Sequence, residues 1–187
     1  MLSANASNSA WMVALLRGVN VGGRKVPMTD LKAIVDGCGY HDARTLLNSG
    51  NVVFRAPRTT TATAASRIRA GLVNRLGIDT PVMVRTRDEL ARVLECNPLR
   101  EECVAHPTRF LVSIFDGPIP ADLTSRISGT PFTVERAAVG DLAAYFSLPD
   151  GISASKPFEL LGRQLGTGVT SRNWNTMTKL LAIMTDA

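Results

Sequence analysis

A chain of 187 residues, 45% hydrophobic and 20% charged, has room for one large domain or two small ones and is too apolar to be disordered. Twenty-one Lys and Arg against 16 Asp and Glu leave a formal charge of +5, which steers anions inward but also simply keeps a protein in solution. Three scattered cysteines (Cys38, Cys96 and Cys103) and two histidines (His41 and His106) argue against a disulfide framework and a metal site.

In chain order, "MLSANASNSA" lacks the basic and apolar regions of a signal peptide, so residues 1–10 are expected to be a disordered tail. No run of 18 apolar residues occurs, so neither a membrane span nor a membrane partner is expected and the cytoplasm is the expected location. "WMVALL" is apolar throughout, the pattern of a strand buried on both faces. After "RGVNVGGRK", the residues Met28, Leu31, Ile34, Val35 and Cys38 recur at helical spacing, with Pro27 at the start and "GCG" at the end. "ARTLL" and "NVVFR" predict two strands around the turn "NSGN".

Ala65, Ile68, Leu72 and Leu76 give one apolar side to a helix over residues 60–76, followed by the strand "TPVMVRT". "TRDELARVLECNP" predicts a helix with Thr86 as cap and Glu89 at the reciprocal position. The order strand, helix, strand, strand, helix, strand predicts an α+β fold with a ferredoxin-like, split β-α-β first half over residues 11–95. A second small α+β subdomain with C-terminal helices is expected over residues 96–187. It has "RFLVSIF" as a strand, a short helix near Pro120 to Ile127, and a hairpin from "PFTVERAA" and "DLAAYFSL". Two closing helices are expected in "SKPFELLGRQLG" and "SRNWNTMTKLLAIM". The halves share a similar order of elements without a sequence repeat.

The predicted sheet has geometric consequences. Its first and third strands are adjacent and antiparallel, so the loop leaving the first meets the turn entering the third. Arg17, Asn20, Gly22, Gly23, Arg24, Lys25, Asn48, Ser49 and Asn51 are thereby expected on one edge, beside the positive end of the first helix. Cations, backbone N–H groups and small polar side chains are what a phosphate or carboxylate needs. The plainer alternative is that the glycines only turn the chain and Arg17 pairs with a structural carboxylate. Gly18 and Gly23 have the phosphate-loop gap, but Lys25 comes one place late and Val26 stands where a magnesium-binding hydroxyl belongs. Neither that motif nor G-x-G-x-x-G is present.

A second polar cluster lies near the end. Thr170 or Ser171 is the expected helix cap, Trp174, Met177, Leu181 and Met184 the apolar stripe. Arg172, Thr176 and Lys179 are expected on another face, joined by Asn173 and Asn175. A solvated helix face is the alternative. Ser49 has no G-x-S-x-G elbow, His41 reads as an exposed loop residue and Cys38 as buried, so no catalytic residue is named.

Two long stretches, "ALLRGVNVGGRKVPMTDLKAIVDGCGYHDARTLLNSGNVVF" and "GTGVTSRNWNTMTKLLAI", resemble the opening and closing motifs of the bacterial domain-of-unknown-function family 1697. Arg17, Gly18, Asn20, Gly22 and Gly23 match the first motif, Ser49, Gly50 and Asn51 the strand-turn motif, and Arg172, Asn173, Trp174 and Thr176 the last. Ser171 replaces a usual threonine. The resemblance implies a two-part α+β protein and supplies no catalytic residue. The leading expectation is binding of a phosphorylated ligand, nucleotide or nucleic acid at the glycine-loop edge. In it Arg17 and Lys25 supply charge, Ser49 and Asn51 supply hydrogen bonds, and Arg172 and Lys179 close the cleft if the last helix packs there. The alternatives are an enzyme for a small anionic metabolite and a non-catalytic interaction module. No cofactor or oligomeric state is assigned.

Overall fold

Six consecutive buried residues, Trp11 to Leu16, make the interior strand on which the first sheet is built. The computed structural model describes residues 9–153, 155, 157–159 and 168–185. The expected tail over residues 1–10 lies outside them up to residue 8, as does most of the helix expected in "SKPFELLGRQLG". The chain divides into two compact units. One runs to Asp88 and takes the last residues from Leu180; the other is Glu89–Lys179.

The first unit contains β1 (Ser9–Leu16), α1 (Met28–Gly37), β2 (His41–Thr45), β3 (Asn51–Pro57), α2 (Thr61–Leu76) and β4 (Val82–Thr86). The sheet order is β2-β3-β1-β4 with every neighbour antiparallel, the order that the split β-α-β pattern requires. Strand alternation sends Met12, Ala14, Leu16, Val52 and Phe54 towards the helices, where they pack with Leu31, Ile34, Val35, Ile68 and Leu72. The residues between them, Trp11, Val13, Leu15, Val53 and Met83, are buried too. That is why "WMVALL" shows no polar alternation.

Helix α2 starts where Thr60 Oγ1 accepts the Thr63 N–H at 3.1 Å and ends at Gly77, whose φ of +66° closes the helix in the left-handed region. Helices α1 and α2 approach closely at Gly71, where a Cβ would fall 2.5 Å from Ile34 Cγ2. His41, expected in a loop, begins β2, although it is exposed as expected.

The second unit contains α3 (Arg87–Glu95, its first two residues belonging to the first unit), α4 (Arg100–Ala105), β5 (Phe110–Phe115), α5 (Ala121–Ser128), β6 (Arg136–Val139), β7 (Ala143–Ser147) and β8 (Val169–Asn173). The final helix, α6, is Trp174–Thr185. Its sheet order is β6-β7-β5-β8, again all antiparallel. Substituting β5, β6, β7 and β8 for β1, β2, β3 and β4 reproduces the first sheet, so the similar order of elements in the halves is a similarity of topology. Leu111, Phe115, Leu123, Ile127, Ala144 and Phe146 form its core.

Two expectations are corrected. Residues 171–173, expected to open the last helix, belong instead to a strand over residues 169–173, which pairs with β5 from Leu111↔Asn173 to Phe115↔Val169. Helix α4 has no counterpart among the expected elements: six residues are too few to show a helical period. Among the described residues no helix is long and apolar enough to cross a membrane.

The thiols differ sharply. Cys96 is exposed and Cys103 buried, while Cys38, expected to be buried, is half-buried. Burial pushes the Cys103 thiol up to about 11 and raises that of Cys38 as well. A thiol reagent at pH 8 is therefore expected to modify Cys96 first and Cys103 only on unfolding. Equal rates for Cys96 and Cys103 in the folded protein would contradict this packing.

Candidate functional site

The register Leu15↔Asn51 between β1 and β3 places the loop after β1 beside the turn before β3. Leu16 N–H donates to the Gly50 carbonyl at 2.8 Å, continuing the ladder beyond the strand. Gly50 has φ +74°, and a Cβ there would lie 2.5 Å from Val19 Cγ2 and 2.8 Å from Leu16 Cβ. Only glycine fits both the backbone conformation and the space.

Asn20 fastens the two loops. Its Nδ2 donates to the Val26 carbonyl at 3.0 Å and to the Asn48 carbonyl at 2.5 Å, while its Oδ1 accepts the Val26 N–H at 2.9 Å. The Asn20 N–H donates to the Arg24 carbonyl at 2.6 Å. Asparagine tolerates the φ of +58° found here. Its carboxamide is thus spent on backbone, with both N–H donors and an oxygen lone pair engaged.

Asn51 has the same office on the other side. Fully buried, it donates from Nδ2 to the Leu46 carbonyl and to Ser49 Oγ, both at 2.9 Å. Arg17 is half-buried. Its N–H donates to the Pro81 carbonyl at 3.1 Å and its carbonyl accepts from Thr80 Oγ1 at 2.5 Å. Sequence reasoning misses Thr80, because no local signal marks a partner 63 residues away.

The loops enclose a pocket of about 450 Å³ lined by Asn20, Gly22, Gly23, Arg24, Lys25, Val26, Pro27, Met28 and Asn48. Arg17, Ser49 and Asn51 are not among its lining residues. Gly22 and Gly23 have φ of +63° and +104°, and no atom lies within 4 Å of where a Cβ would stand, so the backbone there is open to approach. Arg24 and Lys25 are exposed, and among the described residues neither forms an ion pair.

Helix α1 begins at this pocket. Pro27 occupies its N-cap and supplies no side-chain acceptor, so the first-turn N–H groups have no side-chain cap. The acidic groups of this region have partners of their own. Asp30 accepts from Arg75 Nη2 at 2.8 Å, and Asp79 pairs with Arg69 at 2.5 Å. The Arg69 hydrogen bond lowers the Asp79 carboxyl, with a smaller contribution from the field of Arg24.

The C-terminal set of predicted residues belongs to the second unit. Arg172 lies on β8, not on a helix face with Thr176 and Lys179, which corrects that expectation. It is 9% exposed, its Nη1 donates to Thr170 Oγ1 and the Ser171 carbonyl, and burial lowers its pKa to about 10. Asn173, not Thr170 or Ser171, caps α6: its Oδ1 accepts the Thr176 N–H at 2.9 Å and the Thr176 hydroxyl at 2.7 Å. Lys179 is exposed. Trp174 packs edge-to-face on Phe110, with ring centroids 5.7 Å apart.

A family model for "Protein of unknown function (DUF1697)" matches residues 10–145. The solved structure of the conserved bacterial protein SP0830 from Streptococcus pneumoniae superposes with a TM-score of 0.76 at 20% identity, covering 94% of this chain and 99% of that one. The fold is therefore shared. A structure named "Putative Chlorite dismutase TA0507" gives a TM-score of 0.25 at 13% identity over 94% and 99% of the two chains, and supports no comparison. No curated protein matches the sequence.

Proposed function

The chain belongs to the DUF1697 family of proteins of unknown function, and within that family we propose that it binds a phosphorylated ligand at the glycine-loop edge. One observation carries the reading: the uncapped N-terminus of α1 opens on a pocket lined by Gly22, Gly23, Arg24 and Lys25 and, among the described residues, by no carboxylate. Backbone N–H groups and the helix dipole would hold the phosphoryl oxygens, and Arg24 and Lys25 would neutralise their charge. Asn20 then acts as a positioning residue, holding Arg24 to Val26 in place through the backbone. Asn51 and Ser49 support the facing turn in the same way.

A small ligand fits this edge better than nucleic acid. The two tryptophans offer no open stacking platform, since Trp11 is 8% exposed with the Arg55 guanidinium 4.8 Å from its ring centre, and Trp174 is packed on Phe110. The pocket volume lies within the ordinary range for small-molecule sites.

The double variant Arg24→Ala/Lys25→Ala is expected to weaken binding of pyrophosphate, used as the probe, by about 10- to 100-fold at low salt with the melting temperature little changed. Calorimetric titration measures it. If wild-type protein binds no pyrophosphate, or the double variant binds it equally well, the proposal fails.

A further inference from the structure

We infer that this edge docks on an anionic phospholipid surface, the phosphate it takes being that of a lipid headgroup; the inference rests on the phosphoryl-binding reading above. The added observation is apolar. Val21 is 67% exposed and Leu47 is 58% exposed. Each is the chain neighbour of a partner in the Asn20–Asn48 hydrogen bond, and Asn20 and Asn48 both line the cationic pocket, so the two exposed residues lie on adjoining loops beside it.

Single exposed apolar residues are ordinary on a protein surface. This pair differs in its placement and in the conformation of one member. Leu47 has φ +58°, a left-handed conformation that glycine or asparagine adopts readily and leucine does not. A strained leucine held out in water contributes nothing to the core, which makes its exposed side chain the feature to be explained.

The boundary layer of a bilayer offers both kinds of contact at one depth. Headgroup phosphates meet Arg24 and Lys25, and the upper acyl chain meets Val21 and Leu47. A soluble phosphate ester small enough for the pocket would use the cations and leave both apolar tips in water. Charge complementarity favours the membrane over an apolar partner, since the acidic groups nearby are occupied: Asp30 by Arg75, Asp79 by Arg69. The contact proposed is peripheral, at the surface of the bilayer; among the described residues no helix is long and apolar enough to cross one.

The test is co-sedimentation of the full chain with vesicles of equimolar phosphatidylglycerol and phosphatidylcholine, against pure phosphatidylcholine, at low salt. Wild-type protein is expected to pellet with the anionic vesicles only. Arg24→Ala/Lys25→Ala and, separately, Val21→Ser/Leu47→Asn should each reduce the bound fraction by about tenfold. Asparagine suits the left-handed backbone at position 47, so the apolar variant should fold normally and still bind pyrophosphate. Pyrophosphate binding without vesicle binding would overturn this inference and leave the phosphoryl reading standing, whereas loss of both would remove both. Pelleting that Val21→Ser/Leu47→Asn does not reduce would mean charge adsorption alone and overturn it. So would a dimer, seen by sedimentation velocity, that this variant dissociates without any vesicle binding, because the occupant would then be a second copy.

Discussion

Gly50→Ala is expected to destabilise the protein by about 2–5 kcal/mol, because strain and overpacking act at one position. The φ of +74° disfavours any Cβ, and the new methyl would press on Val19 Cγ2 and Leu16 Cβ at 2.5 and 2.8 Å. Neither neighbour can withdraw cheaply. Leu16 and Val19 are buried, and the Leu16 N–H is bonded to the Gly50 carbonyl. Gly18→Ala is the control. It has a similar φ of +59° with nothing within 4 Å of its Cβ, so strain alone should cost about 1–2 kcal/mol. Urea unfolding of the two variants side by side measures the difference. Equal losses would show that the loop gives way and that close packing at Gly50 is not what demands glycine.

The second large effect is expected at Asn51. Asn51→Ala removes the side-chain donor that bridges the Leu46 carbonyl and Ser49 Oγ across the turn, a loss of about 1–3 kcal/mol for two part-buried hydrogen bonds made by a fully buried side chain. Asn51→Asp should be worse at neutral pH, since a buried carboxylate would face the Leu46 carbonyl. The sign of its pH dependence follows. The folded state favours the protonated acid, which can still donate, so the folded pKa is raised above the unfolded one. The penalty is then full above the folded pKa and fades as pH falls towards the unfolded value. Thermal melts at pH 7 and pH 4 should therefore bring Asn51→Asp closer to wild type at the lower pH. A gap that widens on acidification would mean that the side chain at 51 does not face that carbonyl as a donor.

Most of the first unit is legible from local pattern. The apolar run in "NVVFR", the period of Ala65, Ile68, Leu72 and Leu76, the hydroxyl of Thr60 and the glycine at 77 each carry their own structural instruction, although it is Ala64 that is fully buried and Ala65 only partly. The strand order then follows from the sequence of elements, and with it the meeting of the two loops. The last motif is harder to read. "VTSRN" is short and contains the small hydroxyl residues that cap helices as readily as they pair in strands. Only the neighbouring β5, almost 60 residues earlier, decides for strand, and that pairing moves Arg172 off the helix.

The candidate site divides along the same line. By itself the sequence determined where glycines, cations and turn residues concentrate, because those are properties of side chains and of local backbone freedom. Which groups are left to meet a ligand was decided by the tertiary structure, because a hydrogen-bonding group used by the fold is no longer available. Asn20 and Asn51 are expected as ligand donors, but the folded loops take their amides, Asn20 through the Val26 and Asn48 carbonyls and Asn51 through the Leu46 carbonyl and Ser49 Oγ, whereas Arg24 and Lys25 line the pocket.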